Sequence, residues 1–195
     1  MQQAYSLLAQ RYIDAVGSLE HVHADDLALI DRHLGPVSGP LLDLGCGPGH
    51  LTGYLRSTHA DVTGIDLVPE FLEHARANHP TARFVQGSIL HLDLPPGSVG
   101  GALAWYSLIH LEPEQLDDAL TAVRRVLAPG GVLVVGFFDG PAVEPFAHKV
   151  TTAYRWPVEE MSRRLARAGL VERERVQRAP EGEGRPHAAI AAQAG

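Results

Sequence analysis

The chain has a single cysteine, Cys46, among 195 residues, which excludes an internal disulfide framework and fits a reducing compartment such as the cytoplasm. Basic residues are also short. Sixteen Lys and Arg against 23 Asp and Glu leave a formal net charge of −7, so nothing draws the chain as a whole to phosphate backbones, and nucleic acid is not expected as a partner. No apolar run approaches the length of a membrane span, and the opening MQQAYSLLAQRY lacks the basic start, apolar centre and small-residue cleavage site of a secretory leader. A cytoplasmic, membrane-free, soluble protein is expected. There is no internal repeat and no long low-complexity tail, so 1–195 reads as one domain, working as a monomer or homodimer.

What is present is alternation. Leu7, Leu8, Tyr12 and Ile13, then Leu27, Ile30 and Leu34, recur at helical spacing before a Gly35–Pro36 stop, which predicts an N-terminal helical cap over 1–36. Five short apolar segments follow at 41–44, 61–66, 82–87, 100–106 and 131–138, each ending in turn residues, as buried parallel strands do. Between them, 50–59, 69–79 and 113–127 carry a helical period, clearest in Leu116, Leu120, Val123 and Leu127. This order predicts an α/β fold with right-handed crossovers and helices on both faces of a mostly parallel sheet. After Asp139, a Pro- and aromatic-containing connection over 139–157 reads as a lid, and a helix near 158–168 stops at Gly169. Segments 170–177 and 187–193 then read as an antiparallel hairpin around RAPEGEGRP, which brings the expected sheet to seven strands.

The stretch LLDLGCGPGHLT (41–52) sets Gly45, Gly47 and Gly49 between the first strand and the first crossover helix. Bare backbone there can turn sharply and admit a ligand closely, at the place where open α/β sheets hold nucleotides. Asp66 ends the second strand about 20 residues on, where a carboxylate can accept both ribose hydroxyls of an adenosine. A dinucleotide fingerprint is G-x-G-x-x-G, but this turn is G-C-G-P-G, and His50 stands where the third glycine would be, crowding a pyrophosphate.

D-L-G-C-G-P-G with the later I-D, the G-S-I and the L-x-P-G-G-x-L run at Leu127–Leu133 resembles the class I S-adenosylmethionine-dependent methyltransferases, in the right order over 41–138. The resemblance implies a Rossmann-like methyltransferase fold and S-adenosylmethionine as cofactor. It would place Asp43, Gly45, Cys46 and Gly47 around the methionine end, Asp66 and Leu67 at the ribose, and Gly87, Ser88 and Ile89 at the adenine. Tyr106, just after the fourth strand, would stand by the cofactor too. The segment W-Y-S-L-I-H (105–110) lacks the N-P-P-Y type of motif of amino methyltransferases that act on bases or protein side chains. The acidic cluster of the metal-dependent catechol type is missing as well, so a metal-independent reaction on a small molecule is implied.

Eleven histidines are better explained as surface residues than as a metal site, since no Cys or paired carboxylates support them, and no metal is expected. Cys46 reads as a small packing residue inside the turn. The acceptor pocket is expected to be closed by Tyr5 and Tyr12 of the N-terminal cap and by the 139–157 connection, with Trp105, Phe138, Tyr154, Trp156 and His187 lining it. If the acceptor must lose a proton, His110 is the first candidate for the base, followed by His148 and Asp139. An NAD-type oxidoreductase and a non-catalytic nucleotide- or S-adenosylmethionine-binding module are the runners-up. The glycine spacing and the lack of a Tyr-x-x-x-Lys dyad oppose the first, and the His and aromatic residues beyond the fourth strand oppose the second.

Overall fold

The computed structural model describes residues 2–148, 151–180 and 184–195. Positions 149–150 of the expected lid and 181–183 of the expected hairpin loop lie outside the described residues. Two helices, α1 (Gln2–Val16) and α2 (Ala24–Leu34), precede β1 (Leu41–Leu44), α3 (His50–Arg56), β2 (Val62–Asp66), α4 (Pro69–Asn78) and β3 (Arg83–Gln86). Then come β4 (Val99–Trp105), α5 (Pro113–Val126), β5 (Leu127–Phe138), β6 (Glu144–Ala147), β7 (Thr152–Arg155), α6 (Val158–Arg167), β8 (Leu170–Arg178) and β9 (His187–Ala194). Helix starts follow local chemistry: Pro69 and Pro113 occupy first-turn positions where a missing N–H costs nothing, and Glu112 with Gln115 forms a capping box at α5.

The strands β3, β2, β1, β4 and β5 run parallel in that spatial order, and β9 joins β5 antiparallel with β8 outside it. Both faces are covered, and the strand residues divide by parity. On β9, Ala188, Ile190 and Ala192 pack on the α5 and α6 side, while Ala189 and Ala191 pack on the α2 side. That two-sided burial is why these strands read as continuous apolar runs.

Two differences from the sequence expectation stand out. Among the described residues the sheet has nine strands, because the 139–157 connection forms the β6–β7 hairpin, whose Arg155 pairs with Phe138 beyond the end of β4. The Leu127–Leu133 run, expected to turn before a strand, is already part of β5: a register shift between Val99 and Gly101 absorbs the extra residues as a bulge. Strand order reverses between β1 and β4, and a crevice opens at their carboxyl ends, where such sheets bind ligands.

Candidate active site

The glycine turn after β1 is stapled to β2, with the N–H groups of Gly45 and Cys46 both donating to the Ile65 carbonyl at 2.7 and 3.0 Å. Two of its glycines are required for different reasons. A Cβ on Gly45 would lie 2.3 Å from Ser107 Cβ, so only bare backbone lets the turn approach the segment after β4. Gly47 has φ 51° with open space where a Cβ would stand, so its backbone faces the crevice. Its N–H donates to Asp66 Oδ2 at 2.8 Å, and Val68 N–H donates to Oδ1 at 2.8 Å. Burial raises the Asp66 pKa and these amides pull it back down. Each carboxylate oxygen retains a lone pair for a further donor.

Asp43 is buried behind the turn and accepts a 2.6 Å hydrogen bond from Thr52 Oγ1. Burial pushes its carboxyl up to about 7, against the opposing pull of that bond. Cys46 packs on Leu72, Ala75 and Phe84, and burial raises its thiol so far that it is an inert packing residue. Leu67, Gly87, Ser88 and Ile89 line one cavity with Asp66 and Gly47. Ser88 Oγ accepts from Leu90 N–H at 3.2 Å, which leaves its hydroxyl proton for another acceptor.

A wider chamber adjoins this cavity. Tyr5, Tyr12, Trp105, Tyr106 and His110 border both, and Asp43, Cys46, Phe138, His148 and His187 line the wider one. Tyr106 is the one non-glycine residue with positive φ, 51°, among the described residues. It is held there by its N–H bond to the Gly136 carbonyl (3.0 Å) and by a 2.5 Å hydrogen bond between its hydroxyl and His187 Nδ1. The Tyr106 ring lies 5.0 Å from that of Phe138, and burial raises its hydroxyl pKa, so the phenol stays protonated.

The geometry around His110 sets its tautomer. Nδ1 lies 2.9 Å from the Thr152 carbonyl, which can only accept, so Nδ1 carries the proton. Nε2 then keeps its lone pair and accepts from the Tyr5 hydroxyl at 2.7 Å. Burial lowers the His110 pKa, favouring the neutral ring, and raises that of Tyr5. His148 stacks edge-on near it, with ring centroids 5.7 Å apart.

Three expected site residues are elsewhere. Trp156 is fully buried in the main core with the Arg164 guanidinium 4.8 Å over its ring, because its backbone N–H pairs with the Phe138 carbonyl and turns the indole beneath the hairpin toward α6. Tyr154, on the same side, packs on that core with its ring 6.4 Å from Trp156 and lines neither cavity. Asp139 also lines neither cavity: its oxygens accept from Gly140 N–H (2.8 Å) and Gln177 Nε2 (2.9 Å), which ties down the end of β5.

Other site residues escaped the sequence reading. His50, the first residue of α3, faces the wider chamber with Nδ1 lacking a hydrogen-bond partner among the described residues. Burial, with smaller contributions from His79 and His21, pushes it down to about 4. Its signal was its place directly after the glycines. Phe71, Ser107, His21 and Arg185 reach the cavities from four different segments, and no local pattern marks them. Among the described residues, no three His, Cys, Asp or Glu side chains converge as a metal-holding group, and no helix is long and apolar enough to cross a membrane.

A family profile described as "Methyltransferase domain" matches residues 41–131. The chain is 34% identical over 131 residues to an uncharacterized methyltransferase from Synechocystis sp., covering 67% of this chain and 60% of that one. It is 33% identical over 132 residues to a malonyl-[acyl-carrier protein] O-methyltransferase from Pectobacterium atrosepticum, covering 67% of this chain and 50% of the relative. The chain thus spans about half to 60% of the length of these curated relatives. In fold it is similar to a Burkholderia thailandensis 1,6-didemethyltoxoflavin-N1-methyltransferase solved with 1,6-didemethyltoxoflavin and S-adenosylhomocysteine. The TM-score is 0.81 at 22% identity, over 99% of this chain and 86% of that one.

Proposed function

Because this chain belongs to the class I S-adenosylmethionine-dependent methyltransferases, we propose that it transfers the methyl group of S-adenosylmethionine to a small-molecule acceptor by in-line displacement. The observation that carries this is the left-handed Gly47 facing open space and joined through its N–H to Asp66 at the tip of β2. It forms a cradle for a ribose, and an aromatic and histidine chamber opens directly beside it. The spare lone pairs of Asp66 suit two ribose hydroxyls. Leu67, Ile89 and Phe71 offer apolar surface to an adenine, with the Ser88 hydroxyl at its edge. Asp43, Gly45 and Cys46 stand where the methionine end would lie. His50 at the head of α3 crowds the place a pyrophosphate would need, which favours this cofactor over a dinucleotide.

When bound, the cofactor supplies a methyl group on a positively charged sulfur, so most of the protein's task is to orient the acceptor and exclude water. Trp105, Tyr106 and Phe138 give ring faces for a flat acceptor, and α1 closes the chamber through Tyr5 and Tyr12. An acceptor proton would leave through the Tyr5 hydroxyl, whose own proton passes to the lone pair on His110 Nε2, giving an imidazolium steadied by the Thr152 carbonyl. Calorimetry with S-adenosylhomocysteine tests the cofactor site. Asp66→Ala should weaken binding by about tenfold or more, since two hydroxyls lose a charged acceptor. Unchanged affinity in a folded variant would remove the assignment.

A further inference from the structure

The wider chamber has an uneven charge inventory. Among its described lining residues the acid is Asp43, set behind the glycine turn and bound to Thr52, and the one permanent cation is Arg185. The remaining ionisable lining is histidine and tyrosine, with a single thiol. Arg185 is half-buried at the start of the segment leading into β9, with its guanidinium 4.6 Å over the Phe146 ring and 5.8 Å over that of Phe138. Arg155 approaches the same Phe146 ring at 5.2 Å, but Glu144 neutralises it at 3.1 Å. For Arg185 no carboxylate lies within ion-pair distance among the described residues. Among the described residues its one hydrogen bond, to the Ala147 carbonyl, is stretched to 3.5 Å.

Contact with two aromatic rings set at 87° to each other holds a guanidinium in place without using its donors, and a half-buried guanidinium with spare donors is suited to a planar anion. We propose that the acceptor carries an anionic oxygen pair, a carboxylate or a phosphate, which Arg185 grips at the mouth of the chamber while the flat body of the acceptor lies against Phe138 and Tyr106. This rests on the methyltransferase reading of the cleft and narrows its acceptors to acidic compounds. Neutral analogues of the same shape lose the grip and leave the guanidinium partly desolvated and unpaired, which is a strong basis for discrimination.

Matched fragments test the proposal in the presence of saturating S-adenosylhomocysteine: benzoate against benzamide, and phenyl phosphate against phenol, each titrated by calorimetry or ligand-observed NMR. At least one anion should bind about tenfold or more tightly than its neutral partner, and the pair with the larger ratio identifies the anion. Arg185→Gln should bring the ratio to near one. Arg185→Lys should keep part of it, and Arg173→Gln, an exposed arginine bonded to Gln193, should leave it intact. Equal affinities within both pairs, or a ratio that survives Arg185→Gln, overturns the proposal. Intact S-adenosylhomocysteine affinity in Arg185→Gln shows that the variant is folded. If S-adenosylhomocysteine fails to bind the wild-type chain, the cofactor reading falls, and the same fragment pairs titrated on the free protein still decide the fate of the anion site.

Discussion

Two ionisable groups, the buried Asp43 and the half-buried His50, flank the glycine turn and act oppositely on stability. His50 is pushed down to about 4 from its ordinary 6.5, so between those values the unfolded chain takes a proton that the folded chain refuses, and stability falls as pH drops through that window. Asp43, raised to about 7 from 3.8, binds its proton more tightly when folded, so it makes stability fall as pH rises from about 4 to 7. His50→Gln should therefore remove roughly 3 kcal/mol of acid destabilisation between pH 6.5 and 4. Asp43→Asn should raise the unfolding free energy at pH 8 while keeping an acceptor for Thr52. Urea unfolding at several pH values measures both, and a His50→Gln profile parallel to wild type would refute the first. At this scale, Asp66 and the glycines were legible because their spacing along β1, α3 and β2 fixes their meeting. The sequence marks His50 only as an obstacle to a dinucleotide, since nothing local signals desolvation of an imidazole. Asp139, Tyr154 and Trp156 were misplaced because a residue's position near a strand end does not say which way the following backbone turns.

Among the elements, α1 is attached differently from the rest. It packs through Tyr5 and Ala9, with Tyr12 and Ile13 beside them, on Val68 and Phe71, in a cluster separate from the two sheet cores. Hydrogen bonds from Tyr5 to His110 and from Ser6 to Glu70 at 2.9 Å add to it. So small an apolar contact lets a segment open at lower free energy than the sheet. Ala9→Asp, which places a charge in that cluster, should therefore release α1 alone. Hydrogen exchange would rise about tenfold or more over 5–16 with protection in β4 and β5 kept, and S-adenosylhomocysteine would dissociate faster. Loss of protection throughout the sheet would show instead that α1 belongs to the global folding unit. The α1 and α2 helices were readable from their period and the Gly35–Pro36 stop. The β6–β7 hairpin was not: each strand is four residues long, Pro145 interrupts the usual signal, and the pairing of Arg155 with Phe138 depends on a contact distant in sequence.

Across the whole molecule, the alternation of apolar strands and amphipathic helices made the sheet and its order of connections legible. The division of β9 between two cores did not follow from its sequence, since HAAIAAQ reads as apolar whichever face is up. The cleft depends on that whole arrangement: its walls come from the ends of β1, β2 and β4, from α1, and from the segment entering β9. A ligand that requires all of them together binds only the native state, so its affinity appears as global stability. S-adenosylhomocysteine at a hundred times its dissociation constant should add about 2.7 kcal/mol. For a chain of this size each kcal/mol moves the midpoint by about 2–4 °C, so thermal unfolding should shift upward by roughly 5–11 °C. NAD at the same concentration should produce no shift, because the turn lacks the third glycine and offers the His50 imidazole where a pyrophosphate would sit. A shift with NAD but none with S-adenosylhomocysteine would reverse the choice of cofactor while leaving the fold as described.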